Sequence, residues 1–290
     1  MEKRLFKFGK NSVAIVIPKK WVQQKMLKHG ALIYLNENES GELIVSSAQT
    51  PKKEAEEDVT NLSPNIVSRL IGFHHLYGTT KLNLYSKSGF TQKDAERIHE
   101  RINKRYIGFE IVKQNKNELL IEDMSSVKET SMERIFSRMH NLISEEFSLV
   151  LSGDTQALQT SEDVVDRFYL FGVRYLNLVK PADLYAYFRL LQMAELISDW
   201  LTLVSKNRSK QVDALVAEAK KQFELSINAL KGDEKTILDA IVLGDLLLKK
   251  VKSQKLTDFQ RMLLDDLVWS IVAIAETGIV WRKKKNEFLL

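Results

Sequence analysis

The sequence of 290 residues predicts a multidomain α+β protein. It divides into a β-rich N-terminal module (residues 1–48), a linker (49–61), a small α+β insert (62–124) and an all-α C-terminal domain (125–290). Three observations carry this reading. Short β-branched and aromatic runs broken by Gly, Asn and Ser fill the first fifty residues. Helical and strand-like segments then alternate as far as about Asp123. From Ser125 onward, apolar residues recur at spacings of three and four in one segment after another.

The module opens with the strand-like runs Leu5-Phe6-Lys7-Phe8 and Val13-Ala14-Ile15-Val16-Ile17, separated by Gly9-Lys10-Asn11-Ser12. Pro18, preorganised for a first helical turn, starts a short helix through about Leu27, and Gly30 ends it. Ala31–Leu35 and Glu42–Val45 flank a polar turn centred near Ser40-Gly41 and predict a hairpin. So short a segment buries little apolar surface alone, which favours strand exchange with a second copy.

Charge and composition narrow the class. With 44% hydrophobic residues and 4 prolines the chain is a folded protein rather than a disordered one. It has no cysteine, which excludes disulfides, thiolate zinc sites, iron–sulfur clusters and cysteine nucleophiles. The N-terminus lacks the apolar core of a signal peptide and no run of about 18 apolar residues occurs, so a soluble, cytoplasmic protein without membrane insertion is expected. The net charge is only +5, but Lys3, Arg4, Lys7, Lys10, Lys19 and Lys20 crowd the N-terminus, where Glu2 is the one acid. That end suits a phosphate backbone. The terminal Arg282-Lys283-Lys284-Lys285 reads as a helix-end complement to the macrodipole.

The run from Lys7 to Trp21 (Lys7-Phe8-Gly9-Lys10-Asn11-Ser12, the Val13–Ile17 strand, then Pro18-Lys19-Lys20-Trp21), followed by Gly30 and the later hairpin, resembles the AbrB/SpoVT swapped-hairpin domain over about the first 48 residues. The resemblance implies an intertwined homodimer whose basic loops contact DNA. It makes Lys7, Lys10, Asn11, Ser12, Lys19 and Lys20 the DNA-facing candidates. Service as a dimeriser alone is the other reading of the same module.

Residues 49–61 are polar and charged without an apolar period and read as a linker or a solvated helix start. In the insert, Pro64–Tyr77 reads as helix, Lys81–Tyr85 as strand and Thr91–Arg105 as a helix capped by Thr91. Phe109–Val112 and Leu119–Ile121 form a hairpin across Gln114–Asn117. His74 and His75 are neighbours on a helix, about 100° apart around its axis, so they read as core or boundary residues rather than co-ligands.

The C-terminal domain carries the chemistry. Met132, Ile135, Phe136, Met139, Leu142, Ile143, Phe147 and Val150 form the stripe of its first helix, which ends near Gly153-Asp154. In the second, Leu158, Glu162, Val165, Tyr169, Gly172, Leu176 and Val179 share a face, so Glu162 holds an apolar position with Asp166 one turn on. Pro181 separates the third, where Leu184, Phe188, Leu191 and Glu195 align, with Asp199 one turn beyond. A three-helix pattern then recurs through Val212–Leu230, Glu234–Val251 and Thr257–Trp281.

Two Glu-x-x-x-Asp pairs on consecutive helices can face each other. Clustered carboxylates repel and are costly to desolvate without a cation or donors. All-oxygen ligands suit Mg²⁺, Ca²⁺ or Mn²⁺, and carboxylates between bundle helices also hold iron. The bland alternative is that the acids pair with Arg167, Arg174 or Arg189, or face water.

Ser161-Glu162-Asp163-Val164-Val165-Asp166-Arg167 and Met193-Ala194-Glu195-Leu196-Ile197-Ser198-Asp199 resemble the acidic motifs of the PhoU family. The resemblance covers about 160 residues. It implies two three-helix-bundle repeats and a bound divalent or trivalent metal, with Fe, Mg, Mn, Ca and Zn not distinguished. Glu162, Asp163, Asp166, Glu195 and Asp199 are the candidate ligands. The second repeat departs from the motif: Leu264-Asp265-Asp266-Leu267-Val268-Trp269 has Trp269 where the second acid belongs, and Val242–Leu246 keeps only Asp245. A metal site is therefore expected in the first repeat only.

No phosphate loop, nucleophile elbow or H-E-x-x-H motif occurs, and no evident general base accompanies the carboxylates, so the chain reads as a non-enzyme. The resemblances together imply a homodimeric regulator of phosphate uptake whose partners are DNA and a phosphate transporter's ATPase or a sensor kinase. The alternatives are a direct transcription factor with the bundle as sensor and a structural interaction protein that binds no DNA.

Overall fold

The computed structural model describes residues 3–37, 41, 43–47, 53–125, 127, 130–181 and 183–287. Ser40 of the expected turn and residues 49–52 of the expected linker lie outside these, as do the side chains of Arg282-Lys283-Lys284-Lys285. The fold is mixed α+β, with small N-terminal sheets and a helical C-terminal region. Residues 1–51 make one compact unit and residues 52–290 another.

In the first unit β1 (Leu5–Phe8) pairs antiparallel with β2 (Ser12–Ile15), Leu5 opposite Ile15 and Phe8 opposite Ser12. Gly9, at φ 71°, makes the connecting turn in a conformation that costs glycine nothing. Helix α1 (Lys19–Gln24) follows Pro18 and stops short of Leu27, because Met26 turns left-handed at φ 51°. Strands β3 (Tyr34–Glu37) and β4 (Leu43–Ser46) form a second antiparallel pair. No described residue of this unit is buried; Phe8 is 70% exposed and Leu32 79%. The module has strands but, among its described residues, no core of its own.

The second unit begins with β5 (Glu54–Asp58), α2 (Pro64–Tyr77), β6 (Lys81–Tyr85), α3 (Gln92–Arg105), β7 (Phe109–Gln114) and β8 (Glu118–Asp123). These make a four-stranded sheet in the order β5-β6-β8-β7. β5 pairs parallel with β6 across α2, and the other pairings are antiparallel. Here the structure corrects the linker reading, since Glu54–Asp58 is a strand. The strand sits at the sheet edge, where acidic side chains are tolerated and discourage further pairing, so its polarity hid it. Leu82, Leu84, Leu119 and Ile121 from the sheet pack with Ile71, Ile98 and Ile102 from the helices. Thr91 caps α3 in a reciprocal capping box with Asp94.

The histidines of α2 belong to this core. His74 bonds Thr79 Oγ1 and Glu57 Oε1, each at 3.0 Å, and His75 Nε2 donates to the Ile107 carbonyl. Burial pushes the His75 imidazole down to about 4, so it is neutral at physiological pH.

Helices α4 (Met132–Ser152), α5 (Thr155–Val179) and α6 (Leu184–Ser205) pack on one another, as do α7 (Lys210–Ala229), α8 (Glu234–Ser253) and α9 (Asp258–Glu287). Contacts of α6 with α9 and of α4 with α7 join the two sets around one apolar core that includes Met139, Ile143, Phe147, Leu191, Ile197 and Val216. Gly153, left-handed at φ 81°, terminates α4 by donating to the Leu149 and Val150 carbonyls. At Gly172 a Cβ would come within 2.7 Å of the Leu191 methyls, so glycine there lets α5 and α6 approach closely.

The sheet layer is fixed to the helices through α5, against which α2 and α3 pack. Arg174 of α5 has no exposed surface. It donates to the His75 and Thr79 carbonyls and pairs with Asp123 at the end of β8. This ties residues 62–124 into the same unit as the helices.

Candidate metal centre

The second-helix and third-helix acids meet between α5 and α6. One oxygen each from Glu162, Asp166 and Asp199 lies within 4.8 Å of the other two, and this is the one such group among the described residues. Opposed oxygens around a hard cation with bonds of about 2.1–2.5 Å are separated by about 4–5 Å, so the spacing fits one ion. Two unit charges at this distance repel by roughly 3–4 kcal/mol at an effective dielectric of about 20. A cation, a proton or a cationic side chain must compensate.

Burial is the largest cause of the resulting shifts. It pushes Glu162 up to about 7, helped by the charges of Asp166, Asp163 and Asp199. Glu195 rises to about 7 through burial and then Asp199, Asp166 and Glu162, which places it in the same electrostatic cluster. Asp166 and Asp199 are also raised by burial, and Arg105 opposes both rises. The hydroxyl of Tyr169, raised by burial and by Glu195 and Asp166, borders the group.

Of the five predicted ligands, three converge, Glu195 flanks them and Asp163 is exposed on the side of α5 that faces α3. Two of the three expected arginine partners go elsewhere, Arg174 to Asp123 and Arg189 to Glu276, and Arg167 makes no ion pair among the described residues. Asp166 instead pairs with Arg105 of α3, a contact across 61 residues of sequence.

Sequence reasoning missed Glu146, which α4 carries beneath the cluster. It is fully buried, and neither carboxyl oxygen has a hydrogen-bond partner. Burial pushes it up to about 7; Ser161 and Ser198 oppose the rise, while Glu162 and Asp199 add to it. Those two hydroxyls are near enough to polarise the carboxyl yet complete no hydrogen bond of normal geometry. A buried, unpartnered acid beside three converging carboxylates is a strong acceptor set for a cation. Its signal was present in the sequence, because Glu146 lies four residues from Leu142 and Val150 on the apolar stripe of α4. In the other helical set, Asp265 lies 4.0 Å from Lys252 and Trp269 is half exposed.

The residues of the first unit that were expected to face DNA, Lys7, Lys10, Asn11, Ser12, Lys19 and Lys20, are all exposed. Lys10 and Asn11 occupy the β1–β2 turn, and Lys19 and Lys20 start α1. Among the described residues no helix is long and apolar enough to cross a membrane. No protein-family model, no curated protein and no solved structure matches this chain.

Proposed function

We propose that this protein is a homodimeric, metal-binding regulator of phosphate uptake, an AbrB/SpoVT-like module joined to a PhoU-like helical domain of two three-helix repeats. The convergence of Glu162, Asp166 and Asp199, drawn from both acidic motifs, carries the reading. The donors are carboxylate oxygens, which suit a hard cation, and the buried, unpartnered Glu146 adds to the demand for one. Glu195 completes the set, and Asp163 stands at its outer edge.

The module supports the dimeric part. Its described residues expose Leu5, Phe8, Val13 and Leu32 and bury none, a surface that exchange of hairpins with a second copy would cover. Its exposed lysines give the dimer a face for DNA. The helical domain is then the docking element for a phosphate transporter's ATPase or a sensor kinase, and no enzymatic step is assigned to it.

DNA binding of the full chain and of a chain beginning at Pro51 tests the reading, with DNA from upstream of phosphate-transport genes against scrambled DNA at several salt concentrations. The expected result is a preference for the upstream DNA of about 10³ or more. It is lost with the module, and log K falls by about 0.9 per neutralised phosphate against log salt. Equal binding to both DNAs by both chains leaves the module as a dimeriser and removes the DNA-directed part.

A further inference from the structure

Beside the carboxylate cluster, α2, α3 and α5 enclose a cleft of about 670 Å³. Its volume falls within the usual range of small-molecule sites, about 300–1,000 Å³. Arg69 of α2 and Arg97, Arg101, Lys104 and Arg105 of α3 line it. The arginines of α3 recur every fourth residue, so they form a row along one face that spans about 12 Å. Like charges at this spacing destabilise a helix unless something offsets them.

The internal acids offset only part of this charge. Glu100 takes Lys104 and Asp166 takes Arg105. Arg69, Arg97 and Arg101 make no ion pair or side-chain hydrogen bond among the described residues, and Arg101 acts on Asp166 only at longer range. Three guanidinium groups therefore converge on a concave space with their donors unused. The N-terminus of α2 adds to them. Pro64 and Asn65 line the cleft, and the side chain of Ser63 makes no cap bond to the first-turn amides.

We infer that this cleft binds a compact anion bearing two or more linked phosphoryl groups. Planar guanidinium forks match phosphoryl oxygens, and a row of them matches a chain of phosphates better than a single carboxylate. The concave shape and the acids Asp163 and Asp166 on one wall disfavour an extended nucleic-acid backbone. The inference goes beyond the regulatory reading, and the arginines it assigns to the anion are different side chains from those that converge on the cation, Asp166 alone bordering both.

Calorimetric titration of the full-length, metal-free protein with pyrophosphate, triphosphate and ATP tests it, with a short DNA duplex as competitor. Wild-type protein is expected to bind triphosphate more tightly than pyrophosphate. Arg97→Gln with Arg101→Gln is expected to weaken both at least tenfold and to leave helical content unchanged. Lys235→Gln with Lys249→Gln, which removes the same charge from the exposed face of α8, should leave affinity as it was. Equal affinity for triphosphate and ATP identifies the phosphate chain as the recognised part; tighter ATP binding adds the nucleoside. Absence of binding at millimolar anion, equal weakening by both double variants, or displacement by the duplex at lower phosphate concentration than triphosphate overturns the inference. Mn²⁺ titration of the Arg97→Gln, Arg101→Gln protein reports the cation site separately, so failure of one site is distinguishable from failure of the other.

Discussion

Arg105, in the last turn of α3, pairs with Asp166 in α5, so the sheet layer supplies the counter-charge for a carboxylate cluster built by the helices. The guanidinium competes with any cation for Asp166. We predict that Arg105→Gln tightens Mn²⁺ binding about three- to tenfold and destabilises the metal-free protein, read by calorimetry and thermal unfolding. Weaker Mn²⁺ binding in the variant would show that Arg105 positions Asp166 rather than competing for it.

The pH dependence of the metal-free protein has a definite sign. Glu146, Glu162 and Glu195 have folded-state values raised from 4.5 to about 7. The folded chain thus holds protons that the unfolded chain releases, and the associated stability is present below about pH 4.5 and is lost as pH rises through about 7. Thermal unfolding without metal should therefore shift down by several degrees between pH 5 and pH 8, and a divalent cation at pH 8 should restore most of the loss. A metal-free transition that rises over this range contradicts the cluster's charge balance.

Glu146→Gln removes one charge without changing side-chain volume. The variant should melt higher than wild type at pH 8 without metal, with a flatter pH profile, and its advantage should vanish near pH 5. An unchanged profile would mean that Glu146 does not ionise in this range.

Arg174→Met removes the guanidinium donors from Asp123 and from the carbonyls of His75 and Thr79. Breaking a buried pair in this way costs about 3–5 kcal/mol. Urea unfolding should show a loss of that order, and a loss below about 1 kcal/mol would remove Arg174 as the link between sheet and helices.

Much of this architecture was legible in the sequence because it is local. Pro64–Tyr77 and Lys81–Tyr85 fall where periodicity and punctuation put them, and Thr91 caps α3 as expected. The acidic pairs were visible because Glu162 interrupts an apolar stripe that Val165 and Leu158 otherwise keep buried. What escaped depends on tertiary context. β5 has the composition of a solvated segment and becomes a strand only because β6 offers it an edge. Asp166 finds its partner in another layer, which no spacing rule within α5 could supply. Glu146 was legible by the rule that exposed Glu162, since it also replaces an apolar residue on a helix stripe.

The central claim is that these carboxylates hold a cation, and metal stoichiometry tests it most directly. Full-length protein loaded with Mn²⁺, freed of unbound metal and assayed by elemental analysis should retain the ion. Protein carrying Glu162→Ala and Asp166→Ala should lose it while keeping its helical circular dichroism. Full retention of Mn²⁺ by that folded variant would contradict the account.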